Sequence, residues 1–118
     1  MEVQIFGTKK CKESQKALRF FKERRIKTHF VDLAVKAASA GELKRFAQKF
    51  GAEALLDREG KRFRERGLHV AHVPEARILP LLEEDPALLR TPLLRSGGLL
   101  SLGWDEAEWK ERVRQAAT

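Results

Sequence analysis

Glu2-Val3-Gln4-Ile5-Phe6-Gly7-Thr8-Lys9-Lys10-Cys11 opens with an alternating run, breaks at glycine and ends on the chain's single cysteine. The alternation predicts a short strand over residues 2–6, and Gly7 to Lys10 reads as a loop. From Cys11 a helix is predicted, because Ser14, Ala17, Leu18 and Phe21 fall at i, i+3, i+4, i+7 and make one apolar face. Arg24-Arg25 then suits the negative end of that helix. His29 to Leu33, with Phe30 and Val31 at its centre, predicts a second strand. Strand, loop, helix, strand is a βαβ unit, whose two strands should run parallel.

The rest of the chain bounds what can be built on that unit. Its 118 residues are the size of one domain with a single core. An apolar fraction of 42% beside a charged fraction of 35% excludes general disorder and fits a compact domain with a charged surface. Lysine and arginine total 24 against 17 acidic residues, and the resulting +7 favours anionic partners. No apolar run approaches a membrane span, and no basic-then-apolar leader follows Met1. One cysteine rules out an internal disulfide framework, so a cytoplasmic location is expected. The absence of asparagine, with abundant arginine and glutamate, points to a thermophilic source.

Beyond the second strand the pattern is helical. Ser39 and Glu42 have capping-box spacing. Leu43, Phe46, Ala47 and Phe50 repeat the helical spacing up to Gly51, which supplies the stop. Ala52 to Leu56 adds another turn or two. Lys61 to Gly67 reads as a charged, solvated stretch around Phe63. Pro74 to Glu83 reads as a helix with Ile78, Leu79 and Leu82 inward, shortened or kinked by Pro80. Asp85-Pro86 has the order of a cap followed by a first-turn proline. After Pro92 strands return: Leu93-Leu94 and Leu99-Leu100 flank Ser96-Gly97-Gly98, a hairpin signal. The last helix is predicted from Asp105, with Glu108 three residues on and Trp104 and Trp109 placed as a hydrophobic staple. The order is βαβ, a helical insertion over about residues 39–85, then ββα.

Chemistry centres on Cys11. At the start of a helix, unpaired amides and the positive end of the dipole favour a thiolate, and Lys9, Lys10 and Lys12 add positive charge. A lone cysteine is otherwise often a small buried apolar residue, against which the flanking lysines argue. Ser14, one turn on, could offer its hydroxyl to the sulfur or be an ordinary small polar residue. Cys-x-x-Ser closes no disulfide, so a redox cycle needs an external thiol. Thr91-Pro92 precedes the third strand, where either a cis or a trans peptide is compatible with the sequence. Arg90 and Arg95 flank that pair and could fork an oxyanion, or simply be solvated. His69 and His72 lack the further ligands of a metal site, so no metal is expected. The run Lys61 to Arg66 has neither a helix-turn-helix frame nor stacking aromatics, and nucleic-acid binding is not expected from it.

Taken in order, residues Ile5 to Ala17, Ala54-Leu55-Leu56-Asp57, Asp85 to Pro92 and Leu102-Gly103-Trp104 resemble the ArsC family of the thioredoxin-fold superfamily. That family includes ArsC-type arsenate reductases, the Spx transcriptional regulators and YffB-like proteins, and Gly7 to Cys11 looks most like the last group. The resemblance implies an α/β (α+β) thioredoxin-like fold around a mixed four-stranded sheet, with a helical insertion and a cis Thr91-Pro92 bond beside Cys11. It implies a thiol-dependent oxidoreductase with Cys11 as nucleophile and Ser14 beside it. Lys10, Lys12, Arg58, Arg90, Thr91, Pro92 and Arg95 are the candidates for holding an oxyanion or thiol substrate. No bound cofactor is implied; glutathione or another small thiol would serve as co-substrate, with glutaredoxin or thioredoxin as possible partner.

The chain departs from the arsenate reductases. Gly7 stands where those carry histidine, Thr91 where they carry arginine, and only Arg58 is offered in the insertion. A Thr-Pro pair suits a mixed disulfide better than an oxyanion. The alternative expectation is an Spx-like regulator that contacts RNA polymerase without catalysing a reaction.

Overall fold

A computed structural model describes residues 1–117, which divide into two compact units, Met1–Val31 with the segment from Thr91 onward, and Asp32–Arg90. The first unit holds β1 (Glu2–Gly7), α1 (Lys12–Glu23), all but the last residue of β2 (Lys27–Asp32), β3 (Leu93–Ser96), β4 (Leu99–Leu102) and α5 (Glu106–Ala117). The second holds α2 (Ala40–Phe50), α3 (Lys61–Glu65) and α4 (Glu75–Glu84), joined by single 3₁₀ turns.

In the first unit the strands form a mixed sheet in the order β2-β1-β3-β4. β3 runs antiparallel to β1, with Leu94 opposite Ile5 and Leu93 opposite Phe6, and antiparallel to β4. Alternation along the strands sends Val3, Ile5, Leu94 and Leu99 to one face, where they meet Ala17, Phe20 and Phe21 of α1 and Trp109 of α5. The staple is present: the Trp104 ring meets Trp109 edge-on at 4.9 Å, and Asp105 accepts from the Glu108 amide. The buried indole of Trp109 donates to the Ser101 hydroxyl at 2.8 Å, so its polar edge is satisfied inside the core. This is a thioredoxin-like α/β fold.

In the second unit Ser39 caps α2 by accepting from the Glu42 amide, and Gly51 ends it at φ 86°, a conformation that glycine adopts without strain. Several sequence expectations need adjusting. The second strand begins at Lys27, two residues before the predicted start. Lys61–Glu65 forms a short helix rather than a merely solvated run, because Phe63 is buried. Pro80 does not end α4, which continues to Glu84; the proline removes one donor while Ile78 and Leu82 keep the helix packed. Asp85 does not cap the turn after it: its carboxylate accepts from Arg62 Nε at 2.7 Å and Arg66 at 3.0 Å. A two-strand bridge pairs Leu56 with Leu89, with Asp57 N–H donating to Leu88 and Arg90 N–H to Leu55.

Candidate active site

Every part of the site in the first unit follows from where β1 stops. Its last residue, Gly7, is buried, and a Cβ there would lie 2.7 Å from Ser14 Cβ and closer still to Ser14 Oγ. The absent side chain lets the start of α1 pack onto the end of β1. The chain turns through Thr8 to Lys10, the Cys11 amide donating to the Thr8 carbonyl at 3.2 Å. Cys11 is the N-cap of α1, with extended backbone at φ −79° and ψ 114°. Its sulfur occupies the place where a capping serine or aspartate oxygen ordinarily stands, accepting from the Ser14 amide at 3.4 Å.

Thr91 reaches the same sulfur from the far end of the sequence. The pairing of Leu93 with Phe6 brings the start of β3 beside the end of β1, and Gly103 N–H fixes the Pro92 carbonyl at 2.8 Å. The Thr91-Pro92 peptide is cis. The Thr91 hydroxyl donates to Cys11 Sγ at 3.1 Å, and a protonated Sγ is 3.9 Å from the Thr91 carbonyl. Cys11 is half-buried, so the sulfur is both supported and reachable. The ionised sulfur keeps two donors, the Ser14 amide and the Thr91 hydroxyl, and loses only the weak S–H contact. Two donors on a reachable sulfur suit a group that attacks an electrophile and then leaves.

The remaining predicted residues divide by location. Lys10 and Lys12 are exposed on either side of Cys11. Pro92 is buried behind Thr91. The hydroxyl of Ser14 makes no bond to the sulfur: Ser14 is fully buried, its Oγ has no hydrogen-bond partner, and the backbone amide meets Cys11 instead. Arg95 lies three residues beyond Pro92 and donates to Gln4 Oε1 at 2.6 Å. Gln4 is three residues before the end of β1, so this guanidinium is held away from the loop that carries Cys11. Arg58 and Arg90 belong to the second unit, each exposed beside the short ladder of Leu56 and Leu89; Arg58 lies over the Phe63 ring at 5.9 Å. Among the described residues no group of three or more His, Cys, Asp and Glu side chains could hold a metal. Nor is any helix long and apolar enough to cross a membrane.

The sequence offers Thr91 only as a candidate for holding an oxyanion or thiol substrate; its hydroxyl as a direct partner of Cys11 was missed. The residue type was the only available signal, since the contact spans 80 positions.

A thioredoxin-like sheet, an N-cap cysteine and a facing Thr-Pro pair define the class of fold and site. The ArsC family model matches residues 6–112, and the chain belongs to that family. Among relatives, it is 25% identical over 113 residues to global transcriptional regulator Spx 2 of Oceanobacillus iheyensis, covering 94% of this chain and 83% of that one. It is 27% identical over 105 residues to an arsenate reductase of Neisseria meningitidis, covering 86% and 90%. The solved structure of the YFFB protein superposes with a TM-score of 0.84 at 23% identity, over 94% of this chain and 98% of that chain, a likeness of fold.

Proposed function

We propose that the protein is a thiol-dependent oxidoreductase of the ArsC family, with Cys11 as its nucleophile and thiol–disulfide exchange as its chemistry. The observation behind the assignment is the half-buried Cys11 sulfur that accepts at once from the Ser14 amide and the Thr91 hydroxyl. In the reaction the Cys11 thiolate attacks one sulfur of a disulfide, a Cys11–substrate disulfide forms, and the other sulfur leaves as a thiolate that takes up a proton. An external thiol such as glutathione then attacks the mixed disulfide and releases Cys11, because no second cysteine exists in the chain to do so. Work in the reducing cytoplasm supplies that thiol. Arsenate is the oxyanion to test beside disulfides, since a relative carries the name arsenate reductase. Within the unit that carries Cys11, Arg95 is the guanidinium candidate for it, although Gln4 already takes one of its donors.

Replacing Cys11 by Ser is expected to abolish turnover of a glutathione mixed disulfide and of arsenate, measured by coupled NADPH consumption. Wild-type turnover in that variant would sink the assignment. The similarity to a global transcriptional regulator favours a second reading, regulation without catalysis, for which the family resemblance implies RNA polymerase as the partner. Recovery of polymerase subunits on the immobilised protein, with no turnover of any disulfide or oxyanion, would favour it.

A further inference from the structure

Between residues 9 and 27, nine lysines and arginines stand against two acids, Glu13 and Glu23. That surplus of seven equals the +7 of the whole chain, so all the other residues together are balanced. The excess is also ordered in space. Lys12, Lys16 and Arg19 are exposed and, at 3.6 residues per turn, share the side of α1 opposite buried Ser14, Ala17 and Phe21. Lys9 and Lys10 carry the stripe into the loop before Cys11.

Outside the stripe several cations of the same unit have acidic neighbours: Lys27 meets Glu2 at 3.7 Å, Lys110 meets Glu106 at 3.1 Å and Arg112 meets Glu108 at 3.8 Å. The side chains of Lys9, Lys10, Lys12, Lys16 and Arg19 have no acidic partner among the described residues. Where the stripe begins, its placement also opposes the helix's own field. Lysines at the start of α1 face the positive end of its dipole, whereas α5 begins with Glu106 and Glu108 as the dipole prefers. Concentrated like charge costs the folded state stability, and an anionic partner relieves that repulsion.

We propose that this stripe docks the acidic face of a second, dithiol protein and so presents that protein's cysteine to Cys11. The inference rests on Cys11 as an exchange nucleophile. A protein is favoured over a nucleic acid for two reasons. The stripe begins at a sulfur that lacks a resolving cysteine in its own chain, and α1 offers no exposed aromatic for stacking, Phe20 and Phe21 both being buried. In the exchange the partner's first thiolate attacks the Cys11 sulfur of a Cys11–S–S–R disulfide. RS⁻ leaves and takes a proton, and an intermolecular disulfide forms. The partner's second thiolate then attacks its own first sulfur and expels Cys11 as thiolate, so the partner gives two electrons and ends as a disulfide.

The test uses the full chain and defined probes. Dithiodipyridine loads Cys11 as a neutral mixed disulfide, and the thiopyridone released on loading reads the reactivity of Cys11 itself. The second release, on reduction, is then timed with two Cys-x-x-Cys peptides of equal length, one flanked by glutamates and the other by glutamines. The acidic peptide should react about tenfold faster at low salt, with the advantage vanishing near 0.5 M salt. Lys16→Glu/Arg19→Glu should remove the preference, while Lys44→Glu/Arg45→Glu, an equal change of net charge on exposed positions of α2, should keep it. Equal rates for the two peptides on loaded wild-type protein would overturn the docking surface and leave Cys11 chemistry standing. Failure to load at all would overturn both. Equal rates together with salt-sensitive binding of a short DNA duplex, lost in Lys16→Glu/Arg19→Glu, would assign the stripe to nucleic acid instead.

Discussion

Two donors converge on Cys11 Sγ, and each depends on a different feature of the chain. The Ser14 amide is supplied by the first turn of α1 whatever side chain stands at position 14, while the Thr91 hydroxyl depends on the residue itself. Removing the hydroxyl with Thr91→Val therefore takes away one of the two hydrogen-bond donors that hold the sulfur. Alkylation of Cys11 by iodoacetamide at neutral pH should slow about threefold to tenfold, and Thr91→Ser should restore it. An unchanged rate in the valine variant would remove Thr91 from the site. Ser14 behaves differently. Its buried hydroxyl lacks a partner, so Ser14→Ala should leave the alkylation rate within about twofold and raise stability by about 1 kcal/mol in urea unfolding. A large loss of reactivity in that variant would contradict the geometry. The cysteine's place at a helix start was legible from Gly7, the lysines and the spacing of Ser14, Ala17 and Phe21. Which atoms touch its sulfur was not, because an amide and a hydroxyl at the same position leave the same sequence.

At the scale of elements, the second unit is tied together where α3 and α4 meet Asp85. Burial alone would push the Asp85 carboxyl up, but the hydrogen bonds from Arg62 and Arg66 outweigh it and hold the group below the usual carboxylate range. A carboxyl with a depressed folded value stabilises the fold above its unfolded pKa of about 3.9, and that contribution is lost as pH falls through and below it. Asp85→Asn should cost about 1 kcal/mol near pH 7, Arg62 being nearly half exposed, and the gap to wild type should close below about pH 3. Thermal unfolding across that pH range checks it; a gap that persists in acid would mean packing rather than charge. The helix lengths here followed the apolar spacing, as at Leu43, Phe46 and Gly51. The role of Asp85 did not follow from its sequence, because Asp-Pro reads as a local cap until two arginines 19 and 23 residues earlier claim its carboxylate.

At the scale of the molecule, one indole unites the elements that position the site. Trp109 is fully buried against Phe20 and Phe21 of α1, 5.6 Å from each ring centroid, and bonds to Ser101 of β4. Truncation in a core of this kind typically costs about 3–5 kcal/mol. Trp109→Ala should therefore unfold at much lower urea, and Cys11 alkylation should lose its dependence on Thr91 in step with the unfolding of the sheet. A variant as stable as wild type would show that α5 is not part of this core. The charge distribution belongs to the same scale: a net +7 is a property of composition, but its confinement to residues 9–27 gives the surface a direction.

The sequence by itself determined the alternation and helical spacing that make βαβ and ββα halves, the capping of α2 and α5, and the single cysteine at the head of α1. These are set within a few residues of each position by period, caps and turn chemistry. Tertiary structure alone decided that the Thr91 hydroxyl meets Cys11, that Arg95 is engaged by Gln4, that Asp85 serves Arg62 and Arg66, and that Phe63 is buried. Each of those outcomes depends on groups brought together by strand register or helix packing, and side-chain types a turn or a whole insertion apart carry no record of that distance.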